Sequence, residues 1–233
     1  MSKNSAIAID GDSGSGKSTV GKLVAEKLGY EFIDSGLLYR AATFVIIGLK
    51  KESSREEWVK VVENTNFDLR ENHVVIDGKE IPVDSLRSKD VDALVSPVST
   101  IAEVRNSVNK ILRRIASNRN VVMVGRDIGS VVLKDAFLKI YLTASLRERA
   151  NRRFKELINK GVQITFEEVM QNLKNRDIID SSRSVAPLLV AKDAYVIDTT
   201  NLSVEDVVDK ILQFFRGKEY ALRSDTRISK SNF

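Results

Sequence analysis

An α/β fold, a five-stranded parallel sheet with helices on both faces, is predicted by three features of the 233-residue chain. Five short apolar runs alternate with helix-period segments. A glycine-rich turn joins the first run to the first helix. One intervening stretch switches to the short alternating texture of an antiparallel sheet.

The first strand is read at Ala6–Asp10, and the helical pattern Thr19–Leu28 follows the glycine-rich turn. Strands at Tyr30–Asp34, Val121–Val124, Leu138–Leu142 and Ala194–Asp198 complete the sheet. Ser54-x-x-Glu57, Thr165-x-x-Glu168 and Ser203-x-x-Asp206 have the spacing of capping boxes or their acidic variant, and so mark helix starts. Between Phe67 and Val83 the pieces shorten, and Asp77-Gly78 separates Val74-Val75-Ile76 from Glu80-Ile81. Asp-Gly supplies the positive φ that a two-residue hairpin turn requires. Helices around Lys89–Val95 and Ala102–Ser117 follow, so a small antiparallel sheet and two helices form an insertion between the second and third main strands.

Composition narrows the chemistry. The chain has no cysteine and one histidine, His73, which excludes disulfides, thiolate nucleophiles, thiolate zinc sites and multi-histidine metal sites. Catalysis must rest on Asp, Arg, Lys, Ser and the backbone; His73, in the hairpin sheet, is read as a surface residue. Of the net charge of +5, three units come from Arg216 onward, where five basic residues stand against Glu219 and Asp225. Aromatic residues make up 6% and do not interleave with a basic patch, so no nucleic-acid partner is expected. Apolar runs such as Phe44–Ile47 fall far short of the ~20 residues that span a bilayer. No signal-peptide pattern precedes Ala6, which predicts a cytoplasmic protein without a membrane partner.

Gly11-Asp12-Ser13-Gly14-Ser15-Gly16-Lys17-Ser18 satisfies G-x-x-x-x-G-K-[ST], after a strand and before a helix. In such a loop the backbone N–H groups of Gly11 to Thr19 gather around an anion, and the helix N-terminus adds its positive end. Lys17 reaches β and γ phosphates, and the Ser18 hydroxyl can ligate Mg²⁺. ATP and Mg²⁺ are therefore the predicted cofactors. The guanine-reading pattern [NT]-K-x-D is absent, and at this size a kinase leads over a GTP switch or a transporter ATPase.

Ligands of open α/β sheets collect at the carboxyl ends of strands. Asp34-Ser35-Gly36 with Tyr39-Arg40 follows the second strand, and Gly125-Arg126-Asp127 follows the third. Arg176, Asp180 and Arg183, at 0, +4 and +7, are expected on one helix face. Arg149, Arg152 and Arg153 share another, which fits either a surface ion-pair ladder or a lid that closes over transferring phosphates.

These residues resemble the bacterial-type cytidylate kinases, which phosphorylate CMP and dCMP with ATP. The similarity runs from about Ala6 to Phe215 and includes Ile9-Asp10-Gly11, Asp34-Ser35-Gly36, Ser96 to Arg105, Gly125-Arg126-Asp127-Ile128-Gly129, Arg152-Arg153, Arg176-Asp177 to Arg183, and Val185-Ala186-Pro187-Leu188. The resemblance implies a P-loop nucleoside monophosphate kinase fold in one domain, residues 1–216. Its core would be 1–50, 118–145 and 184–216, its acceptor-binding insertion about 54–117 and its helical lid about 146–183, with a basic tail at 217–233. By matched position, Tyr39, Arg40, Arg126 and Arg183 would hold the CMP phosphate, Arg176 and Asp180 the sugar hydroxyls, and Ser96, Arg105 and Asp127 the base. Ser35 and Gly125 would join the acceptor site. Lys17, Arg126, Arg152, Arg153 and Arg176 would neutralise the transferring group. A monomer is expected.

Three departures stand out. Val124 replaces the family's usual Asp before Gly125-Arg126-Asp127, removing a carboxylate where the Mg²⁺ shell is expected; Asp34, at a neighbouring strand end, is preferred over Asp10 as its replacement. Asp12 stands where the family commonly has proline, which predicts an extra negative charge near the polyphosphate. Leu37-Leu38 is a milder packing change. Two alternatives remain open from the residues, a small-metabolite kinase of the shikimate or gluconate type and a nucleotide-binding regulator without turnover.

Overall fold

The computed structural model describes residues 5–50, 52–70 and 73–230. In chain order the elements are β1 (Ala6–Gly11), α1 (Lys17–Leu28), β2 (Glu31–Asp34), α2 (Ser35–Ile47), α3 (Arg55–Asn64), β3 (Phe67–Arg70), β4 (His73–Ile76), β5 (Lys79–Ile81), α4 (Lys89–Val98) and α5 (Ala102–Ala116). They continue with β6 (Val121–Val124), β7 (Leu138–Thr143), α6 (Leu146–Asn159), α7 (Phe166–Ser182), β8 (Tyr195–Asp198) and α8 (Val204–Lys230).

The main sheet has the order β2-β6-β1-β7-β8, and every pairing in it is parallel. The connection from β1 leads to β2 at one edge of the sheet and that from β7 to β8 at the other, so the crevice above the carboxyl ends of β1 and β7 is the topological switch point. Strand alternation divides the core. Ala8, Ile33 and Met123 face a large cluster with α2, α4, α5 and the small sheet, whereas Ile7, Ile9, Val122 and Ile140 face α1 and α8. Both faces are covered, which is why these strands read as continuous apolar runs.

Local signals act where they were expected. Ser54 and Thr165 form reciprocal capping boxes with Glu57 and Glu168. Ser203 and Asp206 bond each other's backbone N–H at the start of α8. At the β4–β5 hairpin, Asp77 and Gly78 take φ values of 49° and 81°, and Ile76 pairs with Lys79. β3, β4 and β5 form a three-stranded antiparallel sheet, and His73 is exposed beside Glu80.

Two expectations shift. Arg183 lies one residue past α7 in extended backbone (φ −60°, ψ 139°), so Arg176, Asp180 and Arg183 do not share one helix face. The chain leaves the helix there for the turn through Ala186, whose φ is 51°, and Pro187. The tail expected from residue 217 instead begins inside α8, which runs on to Lys230 while Lys218 donates to the Phe137 carbonyl at 3.0 Å. Helices α6 and α7 pack around a small core of their own, Ala150, Val169 and Leu173 with Phe154, Leu157 and Phe166. Among the described residues, no helix is long and apolar enough to cross a membrane.

Candidate active site

The phosphate loop begins where β1 touches β7. A Cβ on Gly11 would fall on the Leu142 carbonyl oxygen, so this crossing admits only glycine. α1 then starts at Lys17 behind Gly16, which sits in the left-handed region at φ 94°. The Lys17 ammonium is buried and donates to the Gly11 carbonyl at 2.8 Å, the Asp12 carbonyl at 2.5 Å and Ser15 Oγ at 3.4 Å. Burial pushes its pKa well below the ordinary range, and Arg126 adds to the shift against Asp12, Asp10 and Asp34. Ser13 through Thr19 line a cleft of about 1280 Å³. Gly11 and Asp12 do not line it. The Asp12 carboxylate accepts from the Tyr141 hydroxyl at 3.0 Å and Thr143 Oγ1 at 2.6 Å, so the extra negative charge expected in the loop is turned toward β7.

At the end of β2, Asp34 caps α2 through the Gly36 N–H at 3.0 Å and accepts from Ser18 Oγ at 2.9 Å. This hydroxyl–carboxylate pair is a hard-oxygen set suited to Mg²⁺, whose remaining ligands come from phosphates and water. Among the described residues no group of three His, Cys, Asp or Glu could hold an ion unaided. Val124 is in register with Asp34 and is 1% exposed. A Cβ on Gly21 would lie 2.6 Å from Val124 Cγ1, so the valine closes an apolar contact with α1.

Ser35 is buried and donates to the Val124 carbonyl at 2.8 Å, a contact that holds the β6 end rather than reaching out as a side-chain donor. Gly125 lies against it, since a Cβ there would be 2.6 Å from Ser35 Oγ. Asp10 is not available as a metal ligand in this arrangement. Its carboxylate accepts from the N–H groups of Ile128 at 2.8 Å and Gly129 at 2.7 Å, which fixes the π-helical turn Ile128–Val132 behind Arg126 and Asp127. Burial raises the Asp10 pKa to about 6, against these two hydrogen bonds.

Across the cleft, four arginines converge. Arg126 Nε bonds Asp180 at 2.8 Å, with Arg183 Nη1 3.8 Å from the other Asp180 oxygen. Burial pushes Asp180 up, but Arg126, Arg183 and Arg176 outweigh it and hold the carboxyl below its ordinary range. Arg176 Nε and Arg183 Nε and Nη2 are buried without a protein partner. Burial and the neighbouring Arg126 lower the Arg176 pKa to about 10, as expected for an anion site holding surplus cations. Arg40 instead pairs with Asp92 at 2.7 Å and the Leu86 carbonyl at 3.0 Å.

Deeper in the cleft, Arg105, 1% exposed, bonds Asp127 at 2.5 Å and the Ser99 carbonyl at 3.0 Å. Its guanidinium lies 5.2 Å from the ring centroid of Tyr39, whose hydroxyl reaches Asn109 at 3.4 Å. Tyr39 is nearly buried; burial raises its pKa, so it remains a neutral donor. Ser96 completes this end of the cleft.

On α6, Arg152 bonds Glu148 at 2.9 Å, Thr199 Oγ1 at 3.0 Å and the Thr199 carbonyl at 2.6 Å, whereas Arg153 bonds Glu156 at 2.7 Å. Both line the cleft. Arg149 belongs neither to a surface ladder nor to the cleft wall. It is 5% exposed, donates to the carbonyls of Ser13 at 3.0 Å and Ala144 at 2.9 Å, and pairs with Asp177 of α7 at 2.8 Å. Sequence reasoning missed Thr199 and Asp92. The strand-end rule could have found Thr199, which follows β8; nothing in the sequence marks Asp92.

A phosphate loop and an arginine cluster that line one cleft are the parts of a P-loop phosphotransferase. A family profile for cytidylate kinase matches residues 7–217. A cytidylate kinase of Alkaliphilus oremlandii is 43% identical over 212 residues, spanning 91% of this chain and 97% of its own. One of Thermotoga neapolitana is 45% identical over 209 residues, spanning 89% and 94%. An uncharacterized protein from Eubacterium ventriosum shares the fold, with a TM-score of 0.51 at 16% identity over 92% of this chain and 99% of that one. The chain belongs to the cytidylate kinase family. Whole-length membership sets aside the small-metabolite kinase and the regulator without turnover.

Proposed function

We infer that this cleft transfers the γ-phosphoryl group of ATP to a phosphate oxygen of CMP or dCMP, giving CDP or dCDP. The observation that carries the reading is that buried guanidinium nitrogens of Arg176 and Arg183 have no protein partner in the cleft that the Lys17 loop also lines. A phosphate acceptor is already anionic, so the step needs no strong general base. The bond between the γ phosphorus and the β,γ-bridging oxygen breaks as the acceptor oxygen attacks in line.

In this reading, the N–H groups of Ser13 to Thr19 bind the donor phosphates. Lys17 exchanges its carbonyl partners for β and γ phosphate oxygens. Ser18 and Asp34 hold Mg²⁺, which supplies neutralisation of the phosphate charge when bound with the nucleotide. Arg40, Arg126 and Arg183, with the Tyr39 hydroxyl, orient the acceptor phosphate, and Arg176 and Asp180 meet the sugar. Asp127 accepts from the cytosine amino group while Arg105 and Ser96 donate to the ring. Uracil presents a carbonyl at the amino position and would face the carboxylate. The insertion of residues 54–117 carries the acceptor, and α6–α7, with its own small core, acts as the lid bringing Arg152 and Arg153 over the phosphates. We propose that the protein acts as a monomer in the cytoplasm.

Lys17→Ala tests the transfer step. Its loss should lower kcat by about two orders of magnitude or more, the scale of a removed electrostatic contact in the transition state. Near-normal turnover by a folded Lys17→Ala protein would remove the mechanism.

A further inference from the structure

We infer that Tyr141 and Thr143 of β7 are positioning residues for ATP, holding the Asp12 carboxylate of the phosphate loop away from the nucleotide. The inference rests on the reading of residues 11–18 as the ATP phosphate site.

A carboxylate inside a phosphate loop is a competitor: it carries the charge of the ligand and is tethered next to the lysine that the ligand needs. Here that lysine already touches the Asp12 backbone, with Lys17 Nζ 2.5 Å from the Asp12 carbonyl oxygen. The Asp12 N–H donates to Leu142 at 3.3 Å, and Ser15 Oγ donates to the Asp12 carbonyl at 2.9 Å, so the main chain is fixed. The side chain alone decides where the charge goes.

Both carboxylate oxygens are taken by β7. Asp12 Oδ1 accepts from the Tyr141 hydroxyl and Oδ2 from Thr143 Oγ1. Residues 141 and 143 are two apart on one strand and present their side chains on the same face. The β1–β7 register, Asp10 opposite Tyr141 and Gly11 opposite Leu142, sets them beside the first loop residue. None of Asp12, Tyr141 and Thr143 borders the cleft, whereas the loop does so from Ser13 onward. Burial and the Asp12 charge push the Tyr141 phenol up, so it stays a donor. Without the hydroxyls, the partly buried carboxylate would lose both partners, and the Lys17 ammonium, whose charge Asp12 already influences, becomes a competing one.

The test is ATP affinity by titration calorimetry, together with KM for ATP and for CMP. Tyr141→Phe/Thr143→Val removes both hydroxyls with little change of shape. It should weaken ATP binding about tenfold, the order of one competing charge at a partly solvated site, and leave the CMP KM within about twofold. Adding Asp12→Asn should return ATP affinity to within about threefold of the parent, because the released side chain is then neutral. Thr143→Ser, which keeps a hydroxyl, should match the parent. Unchanged ATP affinity in the double variant, or a loss that Asp12→Asn does not reverse, would overturn the inference. If the double variant does not fold, Tyr141→Phe alone is read the same way. Parent protein that neither binds ATP nor turns over CMP would instead sink the underlying reading.

Discussion

Asp10 is the residue where pH and architecture meet. Its folded-state pKa of about 6 lies above the ordinary 3.8, so the folded protein holds this proton more tightly than the unfolded chain. The associated stability is fully present below pH 3.8 and is lost as pH rises through about 6. Asp10→Asn abolishes that titration. Thermal or urea unfolding of Asp10→Asn should therefore gain on the parent between about pH 4 and pH 6 and then level off, by about 3 kcal/mol in total. A difference that is flat with pH would show that Asp10 titrates normally. Base selection is the second matter at this scale. Arg105 and Asp127 are one buried ion pair, so Asp127→Asn and Arg105→Met should each reduce the CMP over UMP ratio of kcat/KM by about 1–3 kcal/mol. Each should also destabilise the fold by about 3–5 kcal/mol by leaving its partner uncompensated. An unchanged ratio in both places the base elsewhere. Residues legible in the sequence were those set by short spacing, such as Lys17 and Ser18. The Asp12 partners were not, because they lie 129 and 131 positions away and depend on strand register. Arg40 was nominated without Asp92 for the same reason.

Elements were legible wherever their signal is local. The capping boxes and the Asp77-Gly78 hairpin need only a few neighbouring residues, so sequence alone located them. The π-helical turn after Asp127 was not, because it exists through the buried Asp10 carboxylate on another strand. The end of α7 was misplaced by a residue, since the face containing Arg176 and Asp180 continues in spacing after the helix has stopped. The pair α6–α7 gives the element-scale prediction. Arg149 joins this pair to the phosphate loop through Ser13 and Asp177. Arg149→Met should cost about 3 kcal/mol of stability by stranding Asp177 and the Ser13 carbonyl. It should also raise the KM for ATP more than that for CMP. Equal changes in both would mean that Arg149 serves general stability rather than the loop.

At the scale of the molecule, the strand order β2-β6-β1-β7-β8 turns five separated segments into one cleft. The alternation of apolar runs and helices made the parallel sheet readable, and the strand-end rule placed Asp34 and Arg126 on the same edge as the phosphate loop. What sequence could not supply is how the arginines divide their partners: Arg126 with Asp180, Arg40 with Asp92, and Arg176 with buried donors left over. Those unpartnered donors, at Arg183 as well as Arg176, are the physical core of the account, since they suit the phosphate and sugar of a second substrate in the cleft that the phosphate loop lines. The most direct test is a coupled ADP-release assay with ATP, Mg²⁺ and CMP, dCMP, UMP, AMP or shikimate as acceptor. Turnover should be fastest with CMP and dCMP, at least about tenfold lower in kcat/KM with UMP, and absent with shikimate. No ADP release with CMP, or equal rates with CMP and UMP, would contradict it.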